Sequence, residues 1–243
     1  MTDQLSDYRA IWSQKPVLRT IYSDYFERLA SHCRPGRTLE IGGGIGNLKE
    51  LLPDVVSSDI QFSSSLDIVA DAQSLPVKEH AFANIVMLDV LHHLEFPVRF
   101  LKDAARTLEP GGRIVMIEPA ITLGSTLFYR FIHHEPVVMS ADPLVDGEPD
   151  PQRNPYDSNQ AIPTLLATKY RSKQQEIVPE LKLEHTEWFS FIAYPMSGGF
   201  KSWSLISDQI ARRLLKLESF LERPLGRYFG FRLLIVFEKQ QPE

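Results

Sequence analysis

Apolar runs bounded by turn residues alternate along the chain with apolar residues at helical spacing. Runs at residues 38–41, 55–59, 82–88 and 113–119 have the length and β-branched content of buried strands. Apolar stripes predict helices over residues 18–29, 97–108 and 204–221. Strands that alternate with helices in this way are typical of an α/β fold with a largely parallel sheet.

The connection between the second and third predicted strands is unusually short. Another apolar run begins at residue 67, which leaves only residues 60–66 for the crossover. A crossover between parallel strands usually needs a dozen or more residues. The sequence therefore predicts either a bare loop here or a third strand that is displaced at a thin edge of the sheet.

The pattern is irregular after the fifth predicted strand. Residues 123–132 have helical character, whereas residues 142–163 are rich in Asp, Pro, Asn and Gly and predict a long ordered loop or lid. Residues 181–193 and 231–238 predict two further strands. The amphipathic helix between them is expected to cover the sheet with one apolar stripe, formed by Ile206, Ile210, Leu214, Leu217 and Leu221.

A glycine-rich bend follows the first predicted strand directly. Gly42, Gly44 and Gly46 alternate with other residues before helix-forming residues resume. Glycine allows positive φ and lets a ligand approach the backbone closely, so the bend predicts a floor for a nucleotide-like ligand. The dinucleotide fingerprint G-x-G-x-x-G fails because Asn47 stands in its third glycine position. A P-loop is excluded because no Gly-Lys-Ser/Thr follows.

Several segments in order resemble the class I S-adenosylmethionine-dependent methyltransferases, of the small-molecule, type 11-like kind. Glu40 followed by alternating glycines resembles motif I, and residues 71–76 resemble the D-A-x-x-L-P segment. Residues 89–94 and the L-x-P-G-G end at residues 108–112 also resemble family segments, so the resemblance covers residues 36–119. It implies a doubly wound, mostly parallel, seven-stranded Rossmann-like sheet with an antiparallel last strand and a lid insertion after strand 5.

The resemblance also implies a cofactor, S-adenosylmethionine, and a role for individual residues. Asp59 is expected to bond both ribose hydroxyls, with Ile60 beside it. Asp71 is expected to accept the adenine amino group, while the backbone N–H of Ala72 donates to the ring. The carbonyl of Leu88 is expected to face the methionine ammonium. The remaining cofactor residues implied are those of the bend, Glu40, Gly42, Gly44 and Gly46.

The acceptor site is expected in the lid of a single domain that spans residues 1–243. In this division residues 36–119 form the cofactor-binding core, residues 120–180 the lid, and residues 181–243 the C-terminal strands and helix. If the acceptor is a hydroxyl, His133 or His134 is the expected base, with His93 behind them. No metal is predicted, because the acids of residues 142–150 lack the order of an EF-hand.

The composition of the chain limits the classes of binding partner and the cellular compartment that are expected. A formal charge of −5 argues against a general nucleic-acid binder, which needs a basic face. The single cysteine, Cys33, excludes an internal disulfide and fits a reducing cytoplasm. No apolar run approaches the 18 residues typical of a membrane span, so a cytoplasmic protein without an integral membrane segment is expected. Basic residues near residues 212–232 raise the alternative of a membrane-surface contact, although an ordinary solvated face is favoured.

The leading hypothesis is therefore a methyltransferase that acts on a small molecule, for example one linked to a lipid or a sugar. The second hypothesis is a non-catalytic protein of the same fold that binds the cofactor or acts as a scaffold. An NAD(P)-dependent oxidoreductase is disfavoured by Asn47, and nucleic-acid methylation is disfavoured by the acidic balance. The acceptor, the methylated atom and the oligomeric state stay open.

Overall fold

The sheet has the seven strands and the antiparallel last strand that the family resemblance implies. The computed structural model describes residues 4–131 and 135–241. Its strands lie in the order β3-β2-β1-β4-β5-β7-β6. The first five are parallel, and β7 runs antiparallel between β5 and β6. The strands are β1 (Thr38–Ile41), β2 (Val56–Asp59), β3 (Ile68–Val69), β4 (Phe82–Leu88), β5 (Leu108–Pro119), β6 (Leu181–Phe189) and β7 (Arg232–Lys239).

Helices cover both faces of the sheet, as in a doubly wound fold. They are α1 (Gln4–Gln14), α2 (Pro16–His32), α3 (Pro97–Thr107), α4 (Leu123–Phe131), α5 (Ile162–Ala167), α6 (Arg171–Ile177), α7 (Ala193–Ser197) and α8 (Asp208–Phe229). One hydrophobic cluster joins the sheet to α3 and α5. The other joins it to α2, α7 and α8. Among the described residues, none of these helices is both long and apolar enough to cross a bilayer.

The strands β4 and β5 and the helix between them form close to the positions that the apolar pattern predicts. Every residue of β4 except Leu88 is buried, as expected for a strand that is covered on both faces. Pro97 stands in the first turn of α3, where its missing N–H is not needed and its fixed φ favours the helix. β5 begins at Leu108, five residues earlier than predicted, because Leu108 also pairs with Phe82 of β4.

The edge beyond β2 is thin, as the short crossover predicts. No helix lies between Asp59 and Ile68, and β3 has only two residues. Instead α1, which the apolar pattern did not predict, reaches this loop from the start of the chain. The Arg9 guanidinium donates to Ser63 Oγ at 2.9 Å and to Ser65 Oγ at 3.3 Å.

The predicted stripe on the last helix is correct only in part, because Ile206 is buried and Leu214 packs against the core, whereas the other three residues do not. Ile210, Leu217 and Leu221 are 45%, 54% and 36% exposed, whereas the buried residues of α8 are Ala211, Glu218 and Gly226. Small residues allow the helix to approach the edge strand closely. A Cβ at position 226, for example, would lie 2.1 Å from the carbonyl oxygen of Trp188. Ile210, Leu217 and Leu221 therefore lie on a side of α8 that does not face the core.

Candidate cofactor site

The glycine bend lies at the carboxyl edge of the sheet, between the ends of β2 and β4. Gly42, Gly44 and Gly46 have φ of 73°, 51° and 80°, in the left-handed region that glycine favours. A Cβ at position 42 would lie 2.1 Å from Val90 Cγ2, so the bend packs against the segment after β4. This contact gives Gly42 a packing reason to lack a side chain, and the cradle for a ligand stays a prediction.

Gly44 is the open position of the bend. A Cβ built there would find only Leu5 Cδ2 at 3.8 Å and its own loop at 3.9 Å. The N–H of Gly44 donates to one carboxylate oxygen of Asp59 at 2.9 Å, and Gln61 N donates to the other at 2.8 Å. The structure thus brings the acid at the end of β2 to the bend, as the sequence predicts.

Glu40 lies beneath the bend rather than at its open side. Its carboxyl group is buried and hydrogen-bonds Ser57 Oγ. A Cβ at position 43 would lie 2.8 Å from Glu40 Oε2. Burial raises the pKa of Glu40 to about 8, so the group is largely protonated at neutral pH. It supports the bend as a neutral hydrogen-bonding group.

The segment after β3 contains the residues that are expected to contact the adenine of the cofactor. Asp71 is half-buried, and one of its oxygens accepts the N–H of Gln73 at 2.8 Å, which fixes a turn. Ala72 is buried in the core cluster, whereas Ile60 is 51% exposed. Leu88 is half-buried at the end of β4. These are the places of the predicted cofactor residues, and their contacts to a ligand stay a prediction.

A partly buried ion pair lies beside the bend, and sequence reasoning missed it. Asp89 follows β4 with a φ of 59°, a strained conformation for a residue with a side chain. Its carboxylate pairs with Arg232 of β7, which is 4% exposed. The guanidinium lies 4.4 Å from the ring centre of Tyr194, and its buried Nε has no hydrogen-bond acceptor among the described residues. No local pattern marks a pair that is 143 residues apart.

A second buried carboxylate, Glu118 at the end of β5, organises the same region. One of its oxygens accepts the N–H groups of Val90 and Leu91 at 2.8 and 2.7 Å, and the other contacts His92 Nδ1 at 2.7 Å. Asp89, His92 and Glu118 are close enough to form a metal-ligand set. Because protein donors already occupy both carboxylates, this set is better explained as a support for the segment after β4.

His93 is the one predicted base among the described residues. His93 packs against His92 with 4.1 Å between ring centres, and its Nδ1 lies 3.3 Å from the carbonyl of Asp157. Burial, and then the neighbouring His92, lower the pKa of His93. A ring that donates from Nδ1 keeps its Nε2 lone pair, which is the form that a base requires. His133 and His134 lie outside the described residues.

The predicted lid covers the segment after β4. Residues 135–161 contain neither helix nor strand, and backbone and side-chain bonds hold them in place. Asn159 N donates to the carbonyl of His92 at 2.9 Å, and Arg153 donates to the carbonyl of His93 at 2.5 Å. The long loop therefore brings polar groups to the carboxyl edge of β4, where the methyl-transfer centre is expected.

The fold and this arrangement define a class I methyltransferase, and a comparison of families agrees. A family model described as a methyltransferase domain matches residues 15–162, more than half of the chain. The chain belongs to this methyltransferase domain family. The predictions of a class I S-adenosylmethionine-dependent methyltransferase and of an enzyme of that kind are confirmed at this level.

Solved structures share the fold at low sequence identity. A candidate sarcosine dimethylglycine methyltransferase from Galdieria sulphuraria aligns with a TM-score of 0.54 and 15% identity over 98% of both chains. A SAM-dependent methyltransferase from Archaeoglobus fulgidus aligns with a TM-score of 0.51 and 18% identity, over 91% of this chain and 94% of its own. These likenesses show the fold alone.

One curated relative matches the chain in part. The uncharacterized protein MJ1123 of Methanocaldococcus jannaschii is 30% identical over 104 residues, which make up 40% of this chain and 51% of that protein. The chain thus spans about half the length of the curated relative that it matches.

Proposed function

We propose that this protein binds S-adenosylmethionine at the glycine bend and transfers its methyl group to a small-molecule acceptor, for example one linked to a lipid or a sugar. The observation that carries the proposal is the pairing of an open, side-chain-free position, Gly44, with the Asp59 carboxylate 2.9 Å from its N–H. A nucleoside can lie on such a floor while the free lone pairs of the carboxylate accept its ribose hydroxyls.

The chain has a suitable group for each part of the cofactor. Asp59 would hold the ribose, and Asp71 with the N–H of Ala72 would hold the adenine. The carbonyl of Leu88 would accept the methionine ammonium, while Glu40 keeps the bend in shape from below. When bound, the cofactor supplies an activated methyl group on a sulfonium, so the protein's main task is to position the acceptor.

The acceptor would enter between the lid and the segment after β4. For a hydroxyl acceptor, His93 is the described base, because its lowered pKa keeps the ring neutral and Nε2 stays free to accept a proton. Tyr129 and Tyr194 are poor bases, since burial raises the pKa of both phenols. His133 and His134 stay predicted alternatives.

Calorimetry with S-adenosylhomocysteine tests the cofactor site. We expect binding by the wild type, and we expect Asp59→Ala to weaken it by about 1–3 kcal/mol because charge-assisted bonds to the ribose are lost. Asp54→Ala is the matched control, since Asp54 is an exposed acid just before the strand that ends at Asp59. The site assignment is wrong if Asp59→Ala and Asp54→Ala bind the product equally well.

Turnover separates an enzyme from a scaffold of the same fold. A panel of metabolites with free hydroxyl or amino groups, including lipid- and sugar-linked ones, would be incubated with S-adenosylmethionine while the demethylated product is measured. Acceptor-dependent product supports the proposal. Binding of the cofactor without any acceptor-dependent product would favour the scaffold.

A further inference from the structure

The outward side of α8 exposes a set of large apolar side chains. At about 100° per residue, positions 210, 217, 221 and 228 share one side of the helix, next to the buried side. Phe220, the most exposed of the set at 79%, borders them. We call this surface the apolar face; it consists of Ile210, Leu217, Phe220, Leu221 and Tyr228, all at least 36% exposed. Single exposed apolar residues are ordinary, but a set aligned along one helix marks an interaction surface.

α4 adds to this surface at the C-terminal end of α8. The two helices touch where a Cβ on Gly124 would lie 3.2 Å from Phe229 Cα. Beside this contact α4 exposes Leu123 and Leu127, which are 70% and 61% exposed. Both helices that meet here therefore expose large apolar side chains.

A row of basic residues borders the apolar face. Arg213, Lys216, Arg223 and Arg227 are exposed, and the first three have no carboxylate within ion-pair distance among the described residues. The acids of the helix are not available to balance them. Asp208 pairs with Arg212 and Glu222 pairs with Arg28, while Glu218 is buried. The outward side of α8 is thus positive on a chain whose formal charge is −5.

We propose that this surface docks α8 on an anionic lipid surface, with the helix lying in the plane of the membrane. Apolar side chains would enter the boundary between headgroups and acyl chains, and the flexible basic side chains would reach the headgroup phosphates. A bilayer offers both features that the surface requires, apolar depth and negative charge.

A second copy of the chain fits the same surface poorly. Symmetric dimers use the same patch on both subunits, so the row of basic residues on one copy would face the row on the other. No unpaired acid on the described part of α8 relieves that repulsion. The charge pattern therefore favours lipid over self-association.

Docking would also bring the candidate site to the membrane. Gly230, directly after α8, accepts a hydrogen bond from Thr122 Oγ1 at 3.1 Å, just past the carboxyl end of β5. The C-terminal end of the helix thus lies at the sheet edge that carries the glycine bend. The docking itself does not rest on the proposed function, because it involves none of the cofactor residues.

Co-sedimentation with lipid vesicles tests the proposal on the full chain without cofactor. We expect the wild type to sediment with vesicles of phosphatidylglycerol and phosphatidylcholine, and not with phosphatidylcholine alone. Arg213→Gln combined with Arg223→Gln should weaken binding roughly 30-fold, since each basic residue near an anionic surface contributes about fivefold. Leu217→Ser combined with Phe220→Ser should weaken it at least about tenfold, through the lost apolar burial.

Matched controls separate docking from unfolding. Val145→Ser and Lys78→Gln remove an exposed apolar residue and an exposed charge elsewhere, and they should bind like the wild type. If the variant with Leu217→Ser and Phe220→Ser unfolds, the variant with Arg213→Gln and Arg223→Gln still tests the proposal, because both arginines are exposed. Equal binding to neutral vesicles, no binding to either kind, or a concentration-dependent dimer that Phe220→Ser abolishes would each overturn the proposal.

Discussion

Three buried glutamates illustrate how single residues shape the carboxyl edge of the sheet. Glu118 and Glu218 each accept backbone N–H groups from a segment distant in sequence. Glu40 differs, because its described hydrogen bond is to the Ser57 hydroxyl. A buried carboxylate without a charged or backbone donor is more stable as the neutral acid. Its protonation is therefore coupled to folding.

Glu40 should make the stability of the protein fall as pH rises. Its pKa is raised from 4.5 to about 8 in the folded chain, so between these values the native state holds a proton that the unfolded state releases. Its contribution is thus fully present below about pH 4.5 and is lost as pH rises through about 8. Glu40→Gln removes the cost of ionisation, and its thermal midpoint should exceed that of the wild type above about pH 8.

The difference between variant and wild type isolates this residue. It should shrink toward low pH, where the protonated glutamate and the amide have similar shapes and hydrogen bonds. Glu109→Gln, at an exposed position, should show no such trend. Parallel pH curves for Glu40→Gln and the wild type would mean that Glu40 is ionised in the folded protein.

At the scale of elements, Glu218 ties α8 to the start of α7. Its carboxylate accepts the N–H groups of Phe191, Ile192 and Ala193 at 3.1, 2.7 and 2.7 Å. Glu218→Ala should lower the free energy of unfolding by at least about 3 kcal/mol, since each buried donor without a partner costs about 1–3 kcal/mol. Urea unfolding followed by circular dichroism measures the loss.

A glutamine at position 218 should cause a smaller loss of stability than an alanine. Glu218→Gln keeps one carbonyl oxygen that can accept from Ile192 and Ala193, so it should lose clearly less stability than Glu218→Ala. Ser219→Ala controls for a substitution at the next, exposed position of the helix. Equal losses for Gln and Ala would show that the carboxylate does not hold these donors.

The same helix shows what the sequence could and could not predict. Periodicity placed β4 at its observed bounds, because a strand covered on both faces has a continuous apolar run. It predicted the inward side of α8 only in part, because the fully buried positions are Ala211, Glu218 and Gly226, which carry little apolar signal. Local spacing likewise revealed the bend and Asp59, whereas the Asp89–Arg232 pair arises only when β4 and β7 meet.

At the scale of the whole molecule, the start of the chain compensates for the thin edge of the sheet. α1 reaches the bare β2–β3 crossover through Arg9 and the turn after β1 through Trp12, whose indole N–H donates to Glu50 at 3.2 Å. Leu5 is the side chain nearest to the open position of the bend. The N-terminal helix thus lies beside the candidate cofactor site.

Cofactor binding should therefore order α1 together with the bend. S-adenosylhomocysteine would be present at about a hundred times its dissociation constant. Binding then adds about 2.7 kcal/mol to the free energy of any local opening that destroys the site. Amide hydrogen exchange at the site should therefore slow up to about a hundredfold. Hydrogen–deuterium exchange would follow residues 4–14 and 42–46, with α6 as the internal control because none of its described contacts involves the bend. If amide exchange slows in residues 42–46 but not in residues 4–14, α1 does not contribute to the cofactor site. Equal slowing in α6 would instead mean that the ligand only raises global stability.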